Sequence, residues 1–273
     1  MQFDFGKNWL NFSNSALNAR KVEQARDDFR KLLGEIPLKG RSFVDIGFGQ
    51  GLSLLLATEA GARAVGCDIN PRCEEALNAT SQFFDGDLKT QVSLVIGSVL
   101  ESETVRQLRE HPVVAGNGGY DVVHSWGVLH HTGDMKRAIA NAASLVAPGG
   151  YFVLAIYNRH WTSLPWLLIK WLYCKSPAWL QKLLVGALYP VIWAAKLAVT
   201  GRSPGRQTRG MDFYYNVVDW VGGYPYEYGS RDEIKRMVGA LGFQCTAEYA
   251  AEVPTGCNEF VFRRSQDHGR DQE

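Results

Sequence analysis

Short apolar runs alternate with helical segments five times between residues 40 and 158. The runs read RSFVDI, ARAVGCDIN, VSLVIGSV, YDVVHSWGVLHH and YFVLAIYN. Such alternation predicts a parallel sheet with helices on both faces, because parallel neighbours need a crossover connection between them. In open sheets of this kind, ligands bind beyond the carboxyl ends of the strands. We therefore look for a functional site among the residues that follow each run.

The alternation stops after Asn158, where the chain becomes apolar and rich in tryptophan. Lysines punctuate residues 161–199. Three prolines predict a break into short helices, and these are Pro165, Pro177 and Pro190. The longest uncharged run, 183–195, is shorter than the roughly 20 residues that a bilayer span needs. The sequence therefore predicts a helical insertion after the fifth strand.

The remaining segments predict one core domain around this insertion. Val22 and Phe29 belong to an apolar pattern at helical spacing, which predicts a helix over 15–33. A capping box of Ser230 and Glu233 opens another helix, and two apolar runs, FQCTAEYA and NEFVFRR, follow it. The predicted boundaries are 1–158 and 229–264 for the core, 159–228 for the insertion and 265–273 for a tail.

Charge and cysteine content argue against several classes of protein. The 29 basic and 28 acidic side chains give a net charge of +1, so the chain lacks the overall basic footprint of a dedicated nucleic-acid binder. The five cysteines are scattered without a CxxC pair, which disfavours a disulfide framework or a zinc site. The first residues, MQFDFGKNWLNFSN, do not have the pattern of a signal peptide. We expect a reduced, cytoplasmic protein.

The first apolar run ends in an acid that is followed by a glycine-rich turn. Asp45, Gly47, Gly49 and Gly51 stand in the segment DIGFGQG. A dinucleotide fingerprint needs a glycine at the next position, where this chain has Leu52. An acid before the loop repels phosphate, but it accepts hydrogen bonds from an ammonium group. The pattern therefore favours a ligand with an amino-acid end over a pyrophosphate.

A second acid ends the second run. Asp68 follows Asp45 by 23 residues, and a carboxylate at this strand end accepts hydrogen bonds from the two hydroxyls of a ribose. The alternative is a tight turn with an incidental surface carboxylate. The loop, its spacing and the strand-end acid together favour a ligand that contains a nucleoside.

Four successive motifs carry a resemblance to a known family. They resemble the motifs of class I S-adenosylmethionine-dependent methyltransferases, and within that family most closely those of ubiquinone and menaquinone methylases. The four motifs are VDIGFGQG, GCDIN, YDVVHSWGVLHHTGD and VAPGGYFVLAIYN. The resemblance covers roughly residues 40–158. It implies an α/β Rossmann-like fold, a seven-stranded mostly parallel sheet whose last strand is antiparallel, and S-adenosylmethionine as the cofactor.

The resemblance also implies where the cofactor binds. The three glycines of the loop line the methionine part, Asp45 lies near its ammonium group, and Asp68 binds the ribose. The family usually ends its third strand with an aspartate for the adenine, whereas this chain has Ser98 and Val99 there. The implied cofactor-binding residues are Asp45, Gly47, Gly49, Gly51, Asp68, Ile69, Ser98, Val99, Ser125 and Trp126. Trp126 also suits an acceptor wall or the core.

Methyl transfer from a sulfonium needs alignment, exclusion of water and, for a hydroxyl acceptor, a base, but no metal. His130 and His131 follow the fourth strand, and adjacent residues do not both face one pocket in regular structure, so at most one is expected to act. A second candidate set lies in an aromatic segment with Gly and Pro turns, and it consists of Asp219, Trp220, Tyr224, Tyr226 and Glu227, with Tyr157 at the end of strand five. That segment is expected to form either a loop over the acceptor or an aromatic mini-core. His124 is expected to be structural.

These residues predict a methyltransferase that acts on a hydroxyl, carbon or amine of a small or lipid-linked metabolite. The alternatives are a protein that binds S-adenosylmethionine without transfer and a nucleic-acid methyltransferase. The latter often carries (N/D)PP(Y/F) after strand four, where this chain reads HSWGVLHH. The insertion admits three interpretations: a lid over the acceptor, which we favour, a peripheral membrane contact through 161–199, or a homodimer interface.

Overall fold

The sheet has seven strands, and all but one of them run parallel. A computed structural model describes residues 2–114, 116–204 and 210–266. The strands are β1 Ser42–Ile46, β2 Arg63–Asp68, β3 Ser93–Ile96, β4 Tyr120–Trp126, β5 Val146–Tyr157, β6 Phe243–Tyr249 and β7 Cys257–Arg264. Their order is β3-β2-β1-β4-β5-β7-β6, and β7 pairs antiparallel with both of its neighbours. The predicted fold is therefore confirmed, and β1 and β4 meet where the strand order reverses.

Helices cover both faces of this sheet. They are α1 Phe5–Ser15, α2 Ala19–Leu33, α3 Leu52–Glu59, α4 Arg72–Ser81, α5 Ser102–Arg109, α6 Met135–Ser144, α7 Ser163–Lys175, α8 Ala178–Thr200, α9 Phe213–Gly222 and α10 Arg231–Gly239. Two buried apolar clusters lie on the two faces, one with α5, α6 and α10 and the other with α1, α2, α3 and α4. Parallel strands that are buried from both sides account for the nearly continuous apolar runs in the sequence.

The N-terminal region corrects the predicted single helix over 15–33. Helix α2 begins at Ala19, because the side chain of Asn18 accepts a hydrogen bond from the Lys21 amide at 3.0 Å. A separate helix, α1, precedes it and is capped by Asp4, which accepts from the Lys7 amide at 3.0 Å. The two helices pack against the same cluster as the glycine loop.

The insertion corrects three further predictions. Pro190 lies inside α8, which continues for 23 residues. The expected break is wrong because Val185 and Ile192, on either side of Pro190, pack into a small apolar cluster with α9. By length and composition α8 is the one helix among the described residues that is long and apolar enough to cross a membrane. The sequence argument considered only the uncharged run 183–195, whereas the helix extends beyond Lys182 and Lys196 at the two ends of that run. The segment before Gly223 is also helical, since Asp212 caps α9.

The predicted domain boundaries remain predictions. Among the described residues of 159–228 there are three helices, α7, α8 and α9, and residues 267–273 of the predicted tail lie outside the described part of the chain.

Candidate active site

One large cavity, about 990 Å³ in volume, lies at the carboxyl ends of β1, β2, β4 and β5. It joins the glycine loop to the aromatic part of the insertion. The residues predicted from the sequence that line it are Asp45, Gly47, Gly49, Asp68, Ile69, Ser98, Val99, Trp126, His131 and Asp219. The predicted residues that are not part of its lining are Gly51, Ser125, His130 and Tyr224. The cavity thus has a loop side and an insertion side, which we describe in turn.

The glycine loop has a backbone that only glycine adopts without strain. Gly47, Gly49 and Gly51 have φ values of 75°, 55° and 76°. A Cβ atom on Gly47 would lie 2.3 Å from the side chain of Val128, and one on Gly49 would lie 3.0 Å from Nε1 of Trp9. Glycine is therefore needed here both for the turn and for the close packing of α1 and of the segment that follows β4. Gly51 takes the position before α3, where a Cβ atom would clash with the side chain of Leu77, and it is not part of the cavity lining.

Asp68 reaches the cavity from the end of β2. Its carboxylate accepts the amide hydrogens of Gly49 at 3.1 Å and Asn70 at 2.9 Å, one on each oxygen. Burial raises the pKa of Asp68, and these hydrogen bonds and the Cys73 thiol oppose the rise. Each carboxylate oxygen has two lone pairs, so further hydroxyl donors from a ligand are accommodated on both.

Asp45 is held by a buried histidine on the neighbouring strand. His124 pairs with it in the β1–β4 register, and Nδ1 of His124 lies 2.7 Å from Oδ1 of Asp45. This contact gives His124 the structural role expected from the sequence, although its ring also borders the cavity. The next residue, Ser125, points to the opposite face and donates its hydroxyl to the Ile46 carbonyl at 2.9 Å.

The far end of the loop side is less polar. The Ser98 hydroxyl oxygen accepts the Leu100 amide hydrogen at 3.2 Å and borders the cavity. Ile69 is 53% exposed, which leaves an accessible apolar surface next to Asp68. Trp126 lines the cavity and donates its indole N–H to Oε1 of Glu259 at 2.9 Å. A flat apolar group with few polar atoms suits this end.

On the insertion side, one of the two adjacent histidines faces the cavity. Nδ1 of His131 lies 2.6 Å from the Pro225 carbonyl oxygen, which accepts only, so Nδ1 carries the proton and Nε2 keeps the lone pair. Burial and the nearby Lys170 lower the pKa of His131 to about 3. His130 is enclosed between His131 and Tyr157, with ring centroids 4.4 and 4.1 Å away, and its pKa is lowered well below the usual value by burial.

Asp219 is the carboxylate that α9 brings to the cavity. It accepts a hydrogen bond from the side-chain amide of Asn8 at 2.6 Å, which links it to α1. Burial raises the pKa of Asp219 to about 7, and the Asn8 hydrogen bond and the Lys170 charge limit the rise. A carboxyl group whose pKa lies near neutral pH suits proton transfer at that pH.

Lys170 is a further buried residue on the insertion side, and no sequence motif predicted it. Its side chain is fully buried, it donates to the Trp220 carbonyl oxygen, and its ammonium lies 4.3 Å from the centre of the Trp220 ring. Burial lowers the pKa of Lys170 to about 7, against the attraction of Asp219. The sequence signal was a single lysine within the apolar run LLIKWLY, a place where a charged side chain is stable only with partners.

Two other candidates lie outside the cavity. Tyr224 is half-buried, and its backbone carbonyl accepts the Phe3 amide hydrogen at 2.8 Å. Glu227 accepts the Met135 amide hydrogen at 2.9 Å and so stabilises the start of α6. Aromatic rings close the insertion side instead: Tyr157 and Trp166 each lie 5.1 Å from Trp220 between ring centroids.

Comparisons with known proteins identify the family and the fold of the chain. A family model described as a methyltransferase domain matches residues 18–248. A ubiquinone biosynthesis O-methyltransferase of Rhodopseudomonas palustris (strain BisB18) is 28% identical over 171 residues, which is 60% of this chain and 60% of that protein. A second protein of the same name, from Methylobacterium sp. (strain 4-46), is 29% identical over 130 residues, 48% of this chain and 46% of the relative. The chain thus spans about half the length of these curated relatives.

One solved structure supports the fold. Magnesium protoporphyrin IX methyltransferase from Synechocystis PCC 6803, crystallised with bound S-adenosylhomocysteine, has a TM-score of 0.52 at 17% identity and covers 90% of this chain and 84% of its own. At this identity the likeness shows a shared fold alone.

Proposed function

The chain belongs to the methyltransferase-domain family, and on that premise we propose that it is an S-adenosylmethionine-dependent enzyme that methylates a small acceptor beside Asp219. The resemblance seen in the sequence motifs is thereby confirmed at the level of the family. The observation that carries the proposal is a cavity in which a glycine loop with Asp68 and a buried group of proton-accepting side chains line the same space.

The loop side fits the proposed cofactor. Glycines at 47 and 49 leave a cradle without Cβ atoms, Asp68 has lone pairs for the ribose hydroxyls, and Ile69 offers an apolar surface to the adenine. The Asp45 carboxylate borders the same cradle and suits the ammonium of an amino-acid end. When bound, the cofactor supplies an electrophilic methyl group on a positively charged sulfur.

Asp219 is the group that we propose accepts the proton of the acceptor. With its pKa raised to about 7, it is partly ionised at neutral pH, and Asn8 fixes its orientation. His131 lines the cavity, and its Nε2 keeps a lone pair because Nδ1 donates to the Pro225 carbonyl oxygen, so this residue is suited to orient an acceptor hydroxyl. His131, with its pKa lowered to about 3, is a weaker base than Asp219.

The rest of the insertion side excludes water and favours an apolar acceptor. Tyr157, Trp166 and Trp220 line the cavity near Asp219. Ile192 and Val199 of α8 form its outer wall. Removal of water strengthens the interactions of the buried charges and helps to align acceptor and methyl group. A small metabolite with an apolar or lipid-linked part therefore suits this cavity.

Replacement of Asp68 by alanine is expected to weaken the binding of S-adenosylmethionine by about 1–3 kcal/mol, because ribose hydroxyls lose their acceptor. Isothermal titration calorimetry measures this difference. Asp85→Ala, which removes an exposed carboxylate elsewhere, is the matched control and is expected to bind as the wild type does. Equal affinities for Asp68→Ala and wild type would contradict the assignment of Asp68. Binding by the wild type with no turnover on any metabolite fraction would favour a binding protein.

Replacement of Lys170 by methionine is expected to move the rising limb of the pH–rate profile to higher pH. The Lys170 charge favours the ionised form of Asp219, so its loss raises the pKa of Asp219 further above its usual value. Lys175→Met, on the same helix but exposed, is the matched control and is expected to leave the profile in place. If Lys170→Met keeps its fold and its pH–rate profile does not move, then the ionisation of Asp219 does not determine the rising limb of that profile.

A further inference from the structure

Helices α7 and α8 each leave an apolar face uncovered. On α8 one face packs on α9 through Val185, whereas Trp179 and Leu183, one turn apart on another face, are 68% and 61% exposed. On α7 the exposed apolar residues Leu164 and Leu168 are also one turn apart. Large exposed apolar faces on a soluble protein mark sites of interaction with a protein or a membrane.

The charges of this part of the chain are of one sign. Between residues 159 and 211 the sequence has eight basic and no acidic side chains, whereas the rest of the chain has 21 basic and 28 acidic ones. The net charge of +1 is therefore the sum of a strongly basic segment and a weakly acidic remainder of the chain. Of these eight, Lys175 and Lys182 are exposed, close to the apolar faces of α7 and α8.

We propose that α7 and α8 dock this protein on an anionic lipid bilayer. Tryptophan and lysine beside an apolar helix face are typical of the bilayer interface, where the rings lie at headgroup level and the ammonium groups meet lipid phosphates. Helix α8 lies along this surface rather than across the bilayer, since a spanning orientation breaks its contacts with α9.

A second copy of the chain fits the same surface poorly. A two-fold interface places the same patch of both copies face to face. Because residues 159–211 include no acidic side chain, such an interface brings basic residues together without partners from this segment. An anionic bilayer supplies both the opposite charge and the apolar environment.

The docked orientation has a consequence for the acceptor. Ile192, Ala195 and Val199 of α8 border the cavity, so the helix that contacts lipid also forms the outer wall of the site. This consequence rests on the proposed function: a lipid-linked acceptor reaches Asp219 from the bilayer side without crossing water.

The test is flotation of the full chain with vesicles of phosphatidylcholine alone and with added phosphatidylglycerol. We expect flotation with the anionic vesicles, weakened by high salt. Leu183→Glu is expected to abolish flotation. Lys182→Gln is expected to lower the vesicle affinity about fivefold, whereas Lys89→Gln, an exposed lysine outside the segment, is expected to leave it unchanged.

Three outcomes overturn the docking proposal: no flotation of the wild type with anionic vesicles, equal losses in Lys182→Gln and Lys89→Gln, or a dimer that vesicles fail to compete with and that Leu183→Glu dissociates. Calorimetry with S-adenosylmethionine tests the proposed function independently of the vesicle experiment. Leu183→Glu is expected to bind the cofactor as the wild type does. A wild-type protein that floats but does not bind the cofactor would contradict the proposed function and leave the docking intact.

Discussion

Replacement of Asp219 by asparagine is expected to slow methyl transfer by about 10²–10⁴-fold and to leave the affinity for S-adenosylmethionine nearly unchanged. The amide keeps the size of the side chain but does not accept a proton at neutral pH. Asp219 lies on the insertion side of the cavity, away from the loop that we assign to the cofactor. Label transfer from methyl-labelled cofactor to fractionated cell metabolites measures the rate, and calorimetry measures the affinity.

The rate of methyl transfer is also expected to depend on pH in a definite direction. The ionised form of Asp219 is the active one, and its pKa is raised to about 7, so the wild-type rate rises with pH through that value and is constant above it. The asparagine variant is expected to lack this rise. Glu227→Gln changes a carboxylate that caps α6 outside the cavity and serves as the control. A normal rate in Asp219→Asn together with a large loss in His131→Gln would assign the base to His131.

Replacement of Phe12 by alanine is expected to lower the free energy of unfolding by about 3–5 kcal/mol. Phe12 is fully buried, and its ring lies 6.0 Å from Trp9 and 5.5 Å from Tyr215 between centroids. The substitution thus leaves a space between α1 and α9, at the point where α1 supports the glycine loop. Equilibrium unfolding in denaturant measures the change.

The control for Phe12 is Trp161, whose side chain is 81% exposed. Trp161→Ala is expected to change the free energy of unfolding by less than about 0.5 kcal/mol. A loss below about 1 kcal/mol in Phe12→Ala would mean that α1 is not part of the core. In that case the support that Asn8 gives to Asp219 would also be in doubt.

The sheet and the loop side of the site could be predicted because their signals are local. The apolar period and the strand-end acids Asp45 and Asp68 are each contained in a few consecutive residues. Helix α1 was not predicted, although Phe5, Trp9 and Phe12 follow the capping residue Asp4 at helical spacing. The helix has only about three turns, so its apolar pattern is too short to be distinctive. Pro190 was misread because tertiary packing outweighs its local cost.

The insertion side could not be predicted in the same way, since its parts are distant in sequence. Asn8 and Asp219 are 211 positions apart, and Lys170 comes from another helix. No spacing rule connects such residues, and only the packing of α1, α7 and α9 brings them together. The sequence named Asp219 and His131 as candidates, but the pKa shifts that distinguish them depend on burial and on Lys170.

A crystal structure of the chain with S-adenosylhomocysteine tests the central claim most directly. We predict that the ribose hydroxyls lie within hydrogen-bond distance of the Asp68 carboxylate, that the amino-acid end follows Gly47 and Gly49, and that the sulfur is directed towards Asp219. Bound product with its sulfur turned away from Asp219 and His131, or bound outside the cavity, would contradict the proposal that this cavity joins a methyl donor to an acceptor.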